Sequence, residues 1–187
     1  MEYRFIIECM ESMNDFTTES KEKKTISFLK KLLKLCKEND IRISVIGGYG
    51  LDGLLGQLTQ KHNDLDLIAL RKDREKLINL IRELNDPIEV SASGERIYAL
   101  RIQDVNLEII TFELFSLSEE YLFSLDEIFP KELYGRIQSL QFRTPSVQIH
   151  RKIGDMYIEY FQNIGKELDM DKIERREKVL CRVEKFI

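Results

Sequence analysis

"VIGGYGLDGLLGQLTQKHNDLDLIAL", residues 45–70, decides the fold. It opens at the end of a β-branched run, "IRISVIG" (41–47), which predicts a short strand closed by a glycine pair. Tyr49 to Leu58 fits a short helix that starts at those glycines, and "DLDLIAL" (64–70) fits a second strand. Side chains alternate along a strand, so Asp64 and Asp66 share a side, about 7 Å apart at Cα, while Leu65 and Leu67 face the core. Two carboxylates on one face repel each other unless a cation lies between them, and hard Mg²⁺ or Mn²⁺ prefers such oxygen donors.

Outward from this stretch the chain alternates helix and strand. Apolar residues recur at Ile26, Leu29, Leu32, Leu33 and Cys36, which predicts a helix over 25–38 whose lysine-rich side is a solvated surface. "KDREKLINLIREL" (72–84) predicts an amphipathic helix with Leu77, Ile78, Ile81 and Leu84 inward, stopped by "NDP". "IEVSAS", "RIYALRI" and "VNLEIITFEL" read as three strands, the last two joined by "QD" in a hairpin. Residues 116–135 read as a loop with a helical turn, and "LQFRTP" (140–145) as an edge strand. Thr144 as cap and Pro145 at the first helical position predict a helix to about Ile164, and a second runs from about Asp171. The expected division is a core over 1–143, with an N-terminal helical region, and a helical segment over 144–187.

Composition narrows the class. With 187 residues, 43% hydrophobic and 33% charged, the chain suits one sizeable core and neither disorder nor membrane residence. A net charge of -4 gives no long-range attraction for polyanions, so general nucleic-acid binding is not expected; a local basic cleft remains open. Cys9, Cys36 and Cys181 lack metal-ligand spacing and are expected to be reduced, buried or half-buried thiols. "MEYRFIIECM" has no basic region or small-residue cleavage site, and no run approaches the roughly 20 apolar residues of a membrane span, so a cytoplasmic location is expected.

Two metals about 3.5–4 Å apart can activate a hydroxyl and stabilise a leaving pyrophosphate, usually with one more carboxylate. Glu108, an acid between apolar neighbours in "NLEII", is the candidate; Asn106 shares its face but carries no charge. Gly47 and Gly48, between a strand and a helix, allow close backbone approach and expose free amides to a phosphate. Blander alternatives stand beside each feature: a plain tight turn at the glycines, a solvated strand end at the aspartates, and an ion pair of Glu108 with Arg101 or Lys61. His62 suits a structural role as well as substrate contact, and His150, Arg151 and Lys152 suit an exposed basic turn as well as a triphosphate contact.

"GGYGLDGLLGQLTQKHNDLDL" resembles the signature of the DNA polymerase beta-like nucleotidyltransferases. Among them it is most similar to the lincosamide and aminoglycoside type, whose segment runs Gly-Gly-Trp-x-x-Asp, Gly, then Arg-x-His-x-Asp-Ile-Asp. The resemblance covers roughly residues 40–115 and implies an α/β (α+β) nucleotidyltransferase fold, a small mixed sheet flanked by helices with a helical C-terminal part. It implies that Gly47, Gly48, Tyr49 and Lys152 bind a nucleoside triphosphate, and that Asp64, Asp66 and Glu108 hold Mg²⁺ or Mn²⁺ and carry catalysis. Asp52 and His62 also match family positions, while Tyr49 replaces Trp and Gln60 replaces Arg. Aligned directly, the family's acidic strand position falls on Asn106; the broader superfamily pattern favours Glu108. The implied activity moves AMP from ATP to the hydroxyl of a small molecule, such as an antibiotic. The alternatives are a toxin-like transferase acting on protein or tRNA, and a degenerate nucleotide-binding or interaction module.

Overall fold

The computed structural model describes residues 21–84, 88–93, 97–102, 105–112, 123–131, 134–163, 165 and 167–186. Helix α1 (21–38) leads to β1 (Ile43–Ile46), α2 (Gly47–Leu55), β2 (Asp64–Leu70), a 3₁₀ turn (Arg71–Asp73) and α3 (Arg74–Leu84). Strands β3 (Ile88–Ser93), β4 (Ile97–Ile102) and β5 (Val105–Phe112) follow. After these come α4 (Leu125–Ile128), β6 (Tyr134–Ile137), β7 (Leu140–Arg143), α5 (Val147–Asn163) and α6 (Met170–Phe186).

Five strands form a mixed sheet in the order β1-β2-β5-β4-β3, parallel only between β2 and β5. The parallel pair needs a long crossover, and α3 with β3 and β4 supplies it. The expected small mixed sheet flanked by helices is thus present.

Alternation along β1 and β2 divides the core. Ile43, Val45, Leu65, Leu67 and Ala69 enter a cluster with Phe28, Leu29 and Leu32 of α1, Leu77 and Ile81 of α3, and Tyr49. The opposite face presents Ile46, Ile68 and Leu70 to Ile128, Phe129 and Ile149, with Ile153 and Met156 packed alongside. Ser44 on that second face donates its hydroxyl to the Ile128 carbonyl at 2.5 Å, which ties α4 to the sheet. A third cluster joins Leu51 and Leu55 of α2 to Val147 of α5 and to Leu180 and Val183 of α6. Each fully buried Leu or Ile in these clusters contributes about 1.5–3 kcal/mol through water exclusion.

Several boundaries differ from expectation. The α2 helix starts at the glycine pair as expected but stops at Leu55 rather than Leu58, because Gly56 takes a left-handed conformation (φ 74) and ends it. α3 begins at Arg74 because Arg71–Asp73 winds as a 3₁₀ turn. "YGRI" is strand β6, within and beyond a stretch read as loop; it pairs with β7 in a separate two-stranded sheet, so "LQFR" does not edge the main one. Phe142 makes that ribbon part of the core, lying where the Cβ atoms of Gly53 and Gly135 would otherwise be. Thr144 does not cap α5. Its hydroxyl is fully buried and 2.9 Å from His150 Nε2, and Ser146 caps instead, through its carbonyl to His150 N and its hydroxyl to Ile149 N.

Among the cysteines, Cys36 is buried, and burial aided by Asp73 pushes its thiol up to about 12. Cys181 is exposed, contrary to expectation, because it lies on the outer side of α6 away from Leu180. Cys9 and the opening segment lie outside the described residues. No helix among the described residues is long and apolar enough to cross a membrane.

Candidate active site

Asp64 and Asp66 occupy the start of β2, both half-buried, on the same face as Ile68 and Leu70. This is the side of the sheet over which α5 passes, because Ile149, Ile153 and Met156 of α5 pack there. Ile46 is the register partner of Asp66, so the end of β1 delivers the chain directly into α2 beside the aspartates. The resulting corner has carboxylates on one wall and a helix start on the other.

Gly47 turns that corner with φ +62, in the left-handed region where side chains are strained. A Cβ there would overlap Oδ2 of Asp66. Its φ and its contact with Asp66 both require glycine. Backbone amides of Gly47, Gly48 and Tyr49 stand at the positive end of the helix, with no cap from the side chain of Ile46 before it and no acid in the first turn itself. The two glycines are half-exposed, which leaves this end open to a ligand.

The Tyr49 side chain takes a different course. It is 1% exposed, inside the core cluster beneath the sheet, so what Tyr49 can offer a nucleotide is its backbone amide. Burial pushes its phenol up to about 12, with the neighbouring acids Glu22, Asp52 and Asp64 acting in the same direction.

His62 and Asp52 form a buried pair behind the glycines, with Nε2 of His62 2.7 Å from Oδ2 of Asp52. The Asp52 carboxylate also accepts from the Thr59 amide at 2.8 Å and the Thr59 hydroxyl at 2.5 Å. The His62 ring lies where a Cβ on Gly48 would be, and 4.7 Å from the Tyr49 ring centre. This contact network was invisible in the sequence beyond the match of two family positions.

The parallel register of β2 with β5 sets Glu108 level with Asp66 and Asn106 level with Asp64. On the other side, Ala99 stands across from Glu108, and Asn106 across from Arg101. A directly opposed pair of Glu108 with Arg101 is therefore not formed at this register. The side chain of Glu108 lies outside the described residues. Among the described residues no three His, Cys, Asp or Glu side chains gather as a metal site.

The basic trio on α5 separates. His150 is buried, its imidazole held down to about 3 by burial and by Arg176. Arg151 turns to α6, bonding Glu177 at 2.5 Å and Glu184 at 3.1 Å, and both acids hold its guanidinium above its ordinary range. Lys152 alone is exposed, one turn from Ile149 and Met156, and near enough to Glu127 of α4 to help lower that carboxyl. Its helix packs, through Ile149 and Met156, on the sheet face that carries Asp64 and Asp66.

Residues 28–120 match the aminoglycoside-2''-adenylyltransferase family model. The fold is similar to that of ANT(2")-Ia solved in complex with adenylyl-2"-tobramycin, with a TM-score of 0.66, 20% identity, and cover of 86% of this chain and 93% of that one. It is also similar to lincomycin-bound LnuA, a lincosamide antibiotic adenylyltransferase: TM-score 0.59, 18% identity, cover of 84% and 96%. A structure from Thermotoga maritima described as a candidate nucleotidyltransferase gives 0.53 at 15% identity, with cover of 85% and 94%. No protein of curated function matches the sequence significantly. The Gly-Gly helix start beside the Asp-x-Asp strand lies inside the segment that matches the aminoglycoside-2''-adenylyltransferase family model, and the mixed sheet that carries both belongs to a fold similar to that of ANT(2")-Ia and LnuA.

Proposed function

We propose that this chain transfers AMP from ATP to a hydroxyl of a small molecule and releases pyrophosphate, with Mg²⁺ or Mn²⁺ as the metal. The observation that carries the reading is the contact of Gly47 with Asp66: a helix start shaped for phosphate adjoins a carboxylate shaped for a hard cation, with no room for a Cβ between them.

The donor set suits the metal. Asp64 and Asp66 are oxygen donors on one face, half-exposed at a strand end, and hard divalent cations take such ligands in preference to nitrogen or sulfur. Asp64, Asp66 and Glu108 would hold it, and when bound it supplies charge neutralisation for the triphosphate and for the departing pyrophosphate.

The chain's own groups do the rest. The amides of Gly47, Gly48 and Tyr49 bind phosphate oxygens at the positive end of α2. Lys152, exposed on α5, reaches the outer phosphates as a mobile point charge. Glu108 accepts the proton of the acceptor hydroxyl as oxygen attacks the α-phosphorus in line with the leaving pyrophosphate. Most of the acceleration then comes from holding the two substrates in line and from preplaced charge.

A pyrophosphate-release assay tests this. ATP, GTP, CTP and UTP are each offered with aminoglycosides, lincosamides, total tRNA or a protein mixture, with and without Mg²⁺. The expected result is metal-dependent release with ATP and a small hydroxylated acceptor, with a mass increase of one AMP on that acceptor. Release only with tRNA or protein would overturn the acceptor class. Folded protein that binds no triphosphate in the presence of Mg²⁺ would overturn the transferase reading itself.

A further inference from the structure

The geometry points to His62 as a positioning residue that, through Asp52, sets the spacing between the phosphate-binding amides of α2 and the metal-binding carboxylates of β2, and so couples nucleotide binding to metal binding. This inference rests on the transferase reading above and deepens it.

Asp52 and His62 together tie both ends of α2 to the loop before β2. Asp52 lies in the last turn of α2 and is fully buried. Its carbonyl accepts from the amides of Gly56 and Gln57 as the helix ends, and its carboxylate gathers Thr59 and His62 from the loop that leads to β2. A carboxylate only accepts hydrogen bonds, so Nε2 of His62 carries the proton and donates. The other edge of the same ring, Nδ1 and Cε1, lies against Gly48 in the first turn of the helix.

One imidazole thus bridges the two ends of α2: hydrogen-bonded to its last turn, in van der Waals contact with its first. It is also two residues before Asp64 in sequence, so its position fixes where β2 begins. Neither His62 nor Asp52 is itself among the groups that would hold phosphate or metal. A shift of His62 would move the glycine amides and the aspartates relative to each other, and binding of a metal held by Asp64 and Asp66 together with a nucleotide held by the amides would respond to that separation. Gly48 has a second reason to be glycine here: any Cβ would displace the ring.

A role confined to stability would lower the melting temperature and leave ligand coupling alone. A positioning role changes the coupling. The measured quantity is the ratio of the ATP dissociation constants without Mg²⁺ (in EDTA) and with saturating Mg²⁺, obtained by calorimetry. Metal association with free ATP enters every variant equally and cancels on comparison with wild type. His62→Ala is expected to reduce the ratio by about tenfold, a coupling change typical of linked sites. His62→Gln, whose amide can donate to Asp52 from a similar position, is expected to restore it to within about threefold.

A wild-type ratio in folded His62→Ala overturns the proposal even if that variant melts earlier. Should His62→Ala not fold, Asp52→Asn serves: it removes the anionic acceptor of His62 but leaves an oxygen for Thr59, and an unchanged ratio there overturns the proposal too. A wild-type protein whose ATP affinity ignores Mg²⁺ overturns the transferase reading, and the coupling role with it, which separates the two failures.

Discussion

At the scale of single residues, Gly47 bears two demands at once. Its φ of +62 strains any side chain, at a cost of about 1–3 kcal/mol, and the space a Cβ would take belongs to Asp66 Oδ2. Gly47→Ala should therefore lower the melting temperature by roughly 2–4 °C for each kcal/mol lost. It should also reduce adenylyl transfer by roughly a hundredfold, since ångström-scale misplacement of reacting groups carries that penalty. A variant with the lower melting temperature and unaltered turnover would show that the corner tolerates displacement of Asp66. This requirement was half legible in sequence. Adjacent glycines before a helix and aspartates on a strand are visible in "VIGGYGLDGLLGQLTQKHNDLDLIAL"; their contact is not, because the loop that brings them together spans residues 56–63. The same holds for Asp52 and His62, ten residues apart and joined only by the fold.

Among elements, the clearest lesson is how α6 is held. Arg176 of α6 donates to the carbonyls of His150 and Arg151 on α5 and lies 3.6 Å from Asp155 and 3.3 Å from Glu177. Its guanidinium occupies the space that a Cβ on Gly154 would need. Glycine inside a helix ordinarily costs about 1 kcal/mol relative to alanine, so Gly154→Ala should in isolation stabilise α5. Here it should give no gain or a loss, because the methyl displaces Arg176 from its carbonyl partners. In the Arg176→Ala background the same change should recover stabilisation of about 1 kcal/mol, and denaturant titration of the four proteins reads the coupling directly. Additive changes would mean that the guanidinium moves aside freely. Sequence periodicity located α5 and α6 to within a few residues, because their apolar spacing is regular. It failed at the start of α5, where the Thr144-Pro145 pair imitates a helix start while Thr144 is drawn inward by His150. It also failed at "YGRI", whose glycine lies under Phe142 and whose alternate residues are charged or aromatic and exposed, leaving one apolar residue to mark the strand.

For the whole molecule, the sheet order β1-β2-β5-β4-β3 and the three apolar clusters around it depend on pairings far apart in sequence, which no local pattern reports. That order is what brings the β5 position of Glu108 level with Asp66, while β2 alone sets Asp64 and Asp66 on one half-buried face. Such a site stands in tension with stability: like charges close together on a half-buried face destabilise the ligand-free fold, and are tolerated because a cation later relieves them. Asp64→Asn keeps size and hydrogen-bonding capacity while removing one charge. In the absence of ligand it should raise stability by about 1 kcal/mol, the size of a close like-charge interaction in water, and the melting temperature by roughly 2–4 °C. Wild-type protein at a hundredfold excess of Mg²⁺ and ATP over the dissociation constant should gain about 2.7 kcal/mol by mass action. The variant should gain far less, so that the order of stability reverses between the two conditions. Thermal melts of both proteins, with and without Mg²⁺ and ATP, measure this crossing. A variant less stable than wild type without ligand would mean that Asp64 serves the fold's own interactions rather than waiting for a metal.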